Sequence, residues 1–327
     1  MLSYILRRVL YIIVVFLLLS VLLFAMYKLM PVDVVEMYTS GMQQEMTPAE
    51  YERYQEAFRI KLGLDQPIPV QYAKWMGRML TGDFGTSVKY RRPVIEIIKS
   101  PMAATILLNA VTMIFVFAIC IPLGISTAVR KGKIYDNSVQ VVTILGYSLP
   151  TFIIALTVIL LFSLVLGWTP ISGMYTPGTQ LTGFAAALDR AKHMILPVGV
   201  MTFTSLASLT RYIRATMIDA LRMDYIRTAR AKGLREKVVI YGHAFRNSLI
   251  PFITVLIGWF LGMFGGSVMV ESIFNWNGMG KLLIDSITGA DFAVAMALEM
   301  FYVIIGLVGN LIIDLAYTVV DPRVRLT

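Results

Sequence analysis

Val9 to Tyr27 reads VLYIIVVFLLLSVLLFAMY, a run without a charged side chain, and Arg7 and Arg8 stand directly before it. A bilayer core of roughly 30 Å is crossed by about 20 consecutive apolar residues in a helix. The run meets that length. It is too long for the apolar segment of a secretory leader, and no small-x-small cleavage site follows it. The stretch therefore predicts an uncleaved first membrane span, with its two arginines on the cytoplasmic side.

The rest of the chain repeats the pattern. Hydrophobic residues make up 57% of the 327 and charged residues 15%, with mean hydropathy +0.72. Soluble domains carry about 25% charged residues, so the composition predicts an all-α integral membrane protein. Apolar runs place six transmembrane helices near 9–30, 103–129, 138–166, 195–212, 249–270 and 293–319. The net charge of +9 does not call for a nucleic acid, because the basic residues cluster beside apolar runs and there set orientation. Arg130, Lys131 and Lys133 follow the second span. Nine Lys/Arg against three acids (Asp219, Asp224 and Glu236) lie between Arg211 and Arg246, and Arg323 and Arg325 end the chain. The loop before the sixth span holds Glu271, Lys281, Asp285 and Asp291 and is net acidic. Both termini are thus expected in the cytoplasm. The lone Cys120 lies in an apolar run and reads as a small buried hydrophobe.

This topology divides the chain into residues 1–30 (N-terminus and first span), a small extracytoplasmic insert at 31–102, and a five-helix core at 103–327 that includes a cytoplasmic loop, 213–247. Within the insert, Thr47 reads as an N-cap, Pro48 as the first helical residue and Glu50 as the partner in a capping box. Tyr51, Tyr54, Phe58 and Leu62 recur at helical spacing up to Gly63, a helix stop. Pro67, Pro69 and Gly82-Asp83-Phe84-Gly85 read as turns. About 70 residues with few branched aliphatics predict a cap on the outer ends of the spans rather than an independent domain.

Three constellations stand out. The basic, helix-forming loop DYIRTARAKGLREKVVIYGHAFRNSLIP, Asp224 to Pro251, reads either as a docking surface for a cytoplasmic partner or as charge that only fixes topology. On the sixth span, Glu299, Tyr302, Gly306, Asn310, Asp314 and Tyr317 advance by three or four residues and share a stripe about 120° wide. Ionisable groups in a span face a bundle interior or a water-filled path, so the stripe reads as a wall of a translocation pathway or as a packing seam with Gly306 at the close approach. On the fifth span, Gly258, Gly262 and Gly266 form two GxxxG steps suited to close helix packing, within the bundle or against another subunit. Pro150 predicts a kink in the third span.

Enzyme readings fail. Gly278-Met279-Gly280-Lys281 lacks the Ser or Thr and the first Gly of a phosphate loop, since Leu282 and Asn275 stand there. His193 and His243 are expected on opposite sides of the membrane and share no metal. No cofactor is called for in this chain.

Several stretches together resemble one family, the permease subunits of bacterial binding-protein-dependent ABC importers in the dipeptide/oligopeptide/nickel group, and within it the first of two paralogous permeases. They are Leu62-Gly63-Leu64-Asp65-Gln66-Pro67, Gly82-Asp83-Phe84-Gly85, Arg227 through Leu234, His243-Ala244-Phe245-Arg246-Asn247 and Asp321-Pro322-Arg323, with Trp168-Thr169-Pro170 and His193 through Pro197 in support. The resemblance spans essentially the whole chain. It implies a multi-pass protein of the bacterial plasma (inner) membrane. Its implied partners are a paralogous permease, two cytoplasmic ATPase subunits that bind ATP and Mg, and an extracytoplasmic substrate-binding protein. It also implies that Arg227, Thr228, Ala229, Arg230, Lys232, Gly233 and Leu234 form an ATPase-coupling element. The general importer motif starts Glu-Ala-Ala; here Arg227 and Thr228 replace the first two, and only Ala229 and Gly233 match.

On this reading Glu299, Asn310 and Asp314 line the translocation pathway, and Gly258, Gly262 and Gly266 pack against the second permease. The implied function is ATP-driven uptake of di- or oligopeptides by alternating access. The rivals from the residues alone are a self-sufficient ion-coupled carrier using Glu299 and Asp314, and a scaffold that binds through the basic loop.

Overall fold

The computed structural model describes residues 2–31 and 33–320, with backbone alone for residues 2–5, 250–251 and 317–320. The Asp321-Pro322-Arg323 stretch, Arg325 and the side chains of Pro251 and Tyr317 lie outside the described residues. The described residues are predominantly helical, and the single β feature among them is a bridge between Thr86 and Pro93.

Helices α1 (Leu2–Leu29), α2 (Val34–Thr39), α3 (Pro48–Leu62) and α4 (Ile68–Leu80) come first. Next are α5 (Val94–Val129), α6 (Ile134–Ser148), α7 (Thr151–Val158, continued by a π-helix over Ile159–Val165) and α8 (Gly183–Leu221). Then follow α9 (Asp224–Ala231), α10 (Glu236–Val238, continued by a π-helix over Val239–Phe245), α11 (Arg246–Gly262), α12 (Val268–Ile273), α13 (Met279–Thr288) and α14 (Phe292–Val320). Among the described residues, four helices are long and apolar enough to cross a membrane: α1, α5, α8 and α14. The count reaches six if two bent pairs, Ile134–Ser148 with Thr151–Val165 and Glu236–Leu249 with Phe252–Gly262, are each one span.

Pro150 acts more strongly than a kink. Leu149 is extended (φ −85°, ψ 132°), as the residue before a proline prefers, so α6 ends and α7 starts anew at an angle of 101°. Pro197, by contrast, is carried inside α8. The fifth apolar run also differs from its expected extent: its helix stops at Gly262, and Val268–Ile273 is a separate short helix.

The chain divides into two compact units. One joins Leu2–Met102 with Leu282–Leu307. Here the capping box forms as read: the Thr47 amide and hydroxyl both donate to Glu50 Oε2, at 3.0 and 2.7 Å, and Gly63 ends α3 at φ +69°. Pro67 and Pro69, read as a turn, instead open α4. Prolines fit there because the first helical amides have no intrahelical acceptor to lose. Met76 and Met79 of α4 pack with Met300, Phe16, Leu23 and Trp75. The Ser87 hydroxyl donates to buried Asp291.

The other unit joins Ala103–Lys281 with residues 308–320. One core cluster knits Ile125 and Ala128 of α5, Ile213, Met217 and Ala220 of α8, Ile226 and Ala229 of α9, and Val239 and Ala244 of the second π-helix. Gly124 makes room for this: a Cβ there would lie 2.6 Å from Ile213 Cγ2.

Candidate functional site

The segment from Met223 to Leu234 is amphipathic on the scale of two helical turns. Ile226 and Ala229 point into the core just described, while Asp224, Arg227, Thr228, Arg230 and Lys232 are exposed. Gly233 ends α9 in the left-handed region at φ +74°. Its amide donates to Arg230 O at 2.9 Å, and the Leu234 amide donates to Ala229 O at 3.3 Å. This paired pattern satisfies the orphan carbonyls of a helix end and favours glycine at that place. Across the turn the Arg230 guanidinium donates to both Glu236 oxygens, Nε to Oε2 at 3.2 Å and Nη2 to Oε1 at 2.6 Å. The result is a solvent-exposed basic turn with exposed Met223, Tyr225, Leu234, Val238 and Tyr241 around it.

Glu299, Tyr302, Gly306, Asn310 and Asp314 all lie on α14 but not in one environment. Glu299, Tyr302 and Asp314 are part-buried, whereas Gly306 and Asn310 are exposed. Within the chain the close approach on α14 is at Gly309 rather than Gly306. Nothing lies within 4 Å of a Cβ built on Gly306, while one built on Gly309 would stand 2.8 Å from Leu261 Cδ1 of α11.

Gly258, Gly262 and Gly266 also part company. Gly258 and Gly262 have nothing within 4 Å of a built Cβ and line a cavity of about 440 Å³, together with Asn109, Thr112, Ser205, Trp259 and Gly266. Gly266 lies past the end of α11 and is packed on Gly280 of the same chain.

Besides Asp291, two buried carboxylates have partners that the sequence reading did not supply. Glu271 on α12 is 1% exposed. Its Oε1 accepts from the Thr105 hydroxyl at 2.8 Å, and its Oε2 accepts from the amides of Gly280 and Lys281 at 2.7 and 3.0 Å. The glycine-rich turn rejected as a phosphate loop thus does open a helix, α13, but Glu271 already occupies its first amides. Burial pushes the Glu271 carboxyl up, against hydrogen bonds from Lys281, Thr105 and Gly280 that pull it down. The second carboxylate is Asp136, 1% exposed, which receives Nε and Nη2 of Arg214, each at 2.7 Å. No group of three His, Cys, Asp or Glu among the described residues is arranged to hold a metal ion.

The family described as "Binding-protein-dependent transport system inner membrane component" matches residues 120–326, and its N-terminal companion matches 1–109. The chain belongs to this permease family. The permease is 40% identical over 326 residues to the oligopeptide transport system permease protein AppB of Bacillus subtilis, covering 99% of this chain and 100% of that one. It is 36% identical over 343 residues to the dipeptide transport system permease protein DppB of Escherichia coli, covering 99% of each. Among solved structures it is similar to the inward-facing methionine ABC transporter MetNI, with TM-score 0.49, 16% identity and coverage of 68% of this chain and 97% of that one. The permease is therefore an inner-membrane transport subunit of an ABC importer, not an enzyme; in such systems the ATPase is a separate subunit. The self-sufficient carrier reading finds no support among these relatives.

Proposed function

We propose that this permease pairs with a paralogous permease to carry di- or oligopeptides, handed over by an extracytoplasmic binding protein, into the cytoplasm. The observation that carries the reading is end-to-end similarity to permeases named for oligopeptide and dipeptide transport. Each bent pair counts as one of six spans, both termini face the cytoplasm, and residues 31–102 form the extracytoplasmic insert between the first span and the core at 103–327. Two ATPase subunits bind ATP and Mg and seat the turn formed by Arg227, Thr228, Ala229, Arg230, Lys232, Gly233 and Leu234. The exposed basic side of α9 and its buried Ile226 and Ala229 support this reading, because a push on the turn is received by packed side chains. Glu299, Asn310 and Asp314 line the pathway. Gly258 and Gly262 leave one side of α11 open toward the second permease, while Gly266 is already spent on Gly280. ATP and the loaded binding protein bias a two-state pathway.

Gentle-detergent purification from native membranes, with mass spectrometry of everything that follows the chain, tests the assembly. Recovery of a second six-span protein and of ATPases with phosphate loops is expected. A chain that runs alone, or as a homo-oligomer, and transports in proteoliposomes without ATP would overturn the reading.

A further inference from the structure

The Asp136–Arg214 pair is built unlike four surface ion pairs among the described residues. Arg59–Asp33, Arg92–Glu96, Arg227–Asp224 and Arg230–Glu236 are solvent-exposed, whereas Asp136 is 1% and Arg214 23% exposed. Two guanidinium nitrogens, Nε and Nη2, donate to the carboxylate, and the Gly132 amide adds a third bond to Asp136 Oδ2 at 2.8 Å. A planar two-pronged contact of this kind fixes orientation as well as distance.

Its position gives that rigidity a use. Arg214 lies on α8 between Ile213 and Met217, two members of the core that also holds Ile226 and Ala229 of α9. The C-terminal parts of α5 and α8, α9 and the second π-helix therefore form one packed body. None of the residues of α6 belongs to that core cluster. α6 packs along α8 itself, close enough at Gly146 that a Cβ there would stand 3.1 Å from Phe203 O, and its N-terminal end is fixed by the buried Asp136–Arg214 pair, with an exposed Ser126–Tyr135 hydroxyl contact at 2.9 Å beside it. Apolar contacts tolerate sliding, but a bidentate pair does not. Beyond its far end, α6 breaks at Pro150 into α7. A displacement of α9 thus reaches the bent α6–α7 span through Arg214 and Asp136.

We infer that Asp136 and Arg214 are positioning residues that transmit motion of the α9 turn to the bent α6–α7 span. This rests on the reading of α9 as the element that meets the ATPase, and the test separates the two.

The complete importer, with its binding protein, is reconstituted in proteoliposomes, and uptake of radiolabelled trialanine is measured per ATP hydrolysed. Gly233→Val serves as the reference for the α9 reading. Arg214→Lys keeps the charge but loses the fork, and Asp136→Leu with Arg214→Met fills the site with apolar groups of similar size. Both variants are expected to assemble, with uptake per ATP falling about tenfold, within the usual range of coupling between sites. A merely structural role predicts the opposite for the apolar double variant, which would then keep the wild-type ratio. That outcome, or failure of both variants to assemble, overturns the inference. If Gly233→Val keeps the wild-type ratio, the α9 reading fails; if it loses the ratio while the pair variants keep it, this inference alone fails.

Discussion

Gly266 lies backbone to backbone on Gly280: a Cβ built on Gly266 would stand 2.7 Å from the Gly280 Cα, and one built on Gly280 would stand 2.7 Å from the Val268 nitrogen. The contact joins the chain after α11 to the first turn of α13, and no flexible side-chain tip lies between them to give way. Overpacking at such a site costs about 1–3 kcal/mol or more. Gly266→Ala is expected to lower the melting temperature of the purified permease complex sharply. Gly306→Ala, with open space around it, should leave it unchanged. Equal melting temperatures for the two variants would show that the crossing is looser than this.

Glu271 holds that same region together. Glu271→Ala leaves the Thr105 hydroxyl and the Gly280 and Lys281 amides without their acceptor in a buried site. Each orphaned group costs about 1–3 kcal/mol, so little folded protein is expected. Glu271→Gln retains one acceptor oxygen and should be milder. Folded yield by size-exclusion chromatography in detergent separates the two, and a milder effect for alanine than for glutamine would contradict the network.

At the α3 cap the chemistry is pH-dependent. The Thr47 hydroxyl, and then its backbone amide, hold the Glu50 carboxyl below its ordinary value of 4.5. A depressed carboxyl stabilises the fold above its unfolded value, and that contribution is lost as the pH falls through the folded value. The capping box should therefore open only below 4.5. Carbonyl-detected NMR titration of Glu50 checks this: its midpoint should lie under 4.5 and return toward it in Thr47→Ala.

Gly233 is required for its backbone conformation, not for space. Its φ is +74° and nothing lies within 4 Å of a built Cβ. Asparagine visits the left-handed region far more readily than a β-branched residue. Gly233→Asn is expected to keep most peptide uptake, and Gly233→Val to lose it while the protein still inserts. Uptake assays beside membrane immunoblots measure both, and equal uptake for the two variants would rule out a conformational role.

Much of the molecule is legible one short window at a time. The apolar run Val9–Tyr27 falls in α1, Thr47, Glu50 and Gly63 bound α3, Gly233 ends α9, and Pro150 interrupts the third apolar run. Each of these depends on residues within a few positions of one another. The same local reading erred at Pro67 and Pro69, because two prolines mark a helix start as readily as a turn. Nor does it say which glycine of α14 meets a neighbour within the chain, because the approach at Gly309 depends on where Leu261 lies.

By itself, then, the sequence determined that this is a membrane-embedded helical protein of a recognisable permease family, with a basic turn ended by Gly233. Hydropathy, charge and capping are written into contiguous residues, and the family stretches are read in the same way. Only the tertiary structure decided that Glu271 caps α13 and reaches Thr105, 166 positions away, and that Asp136 grips Arg214 across 78. A lone acid in an apolar chain carries no local mark of its partner. Burial forces it to have one, and the packing of distant helices selects which.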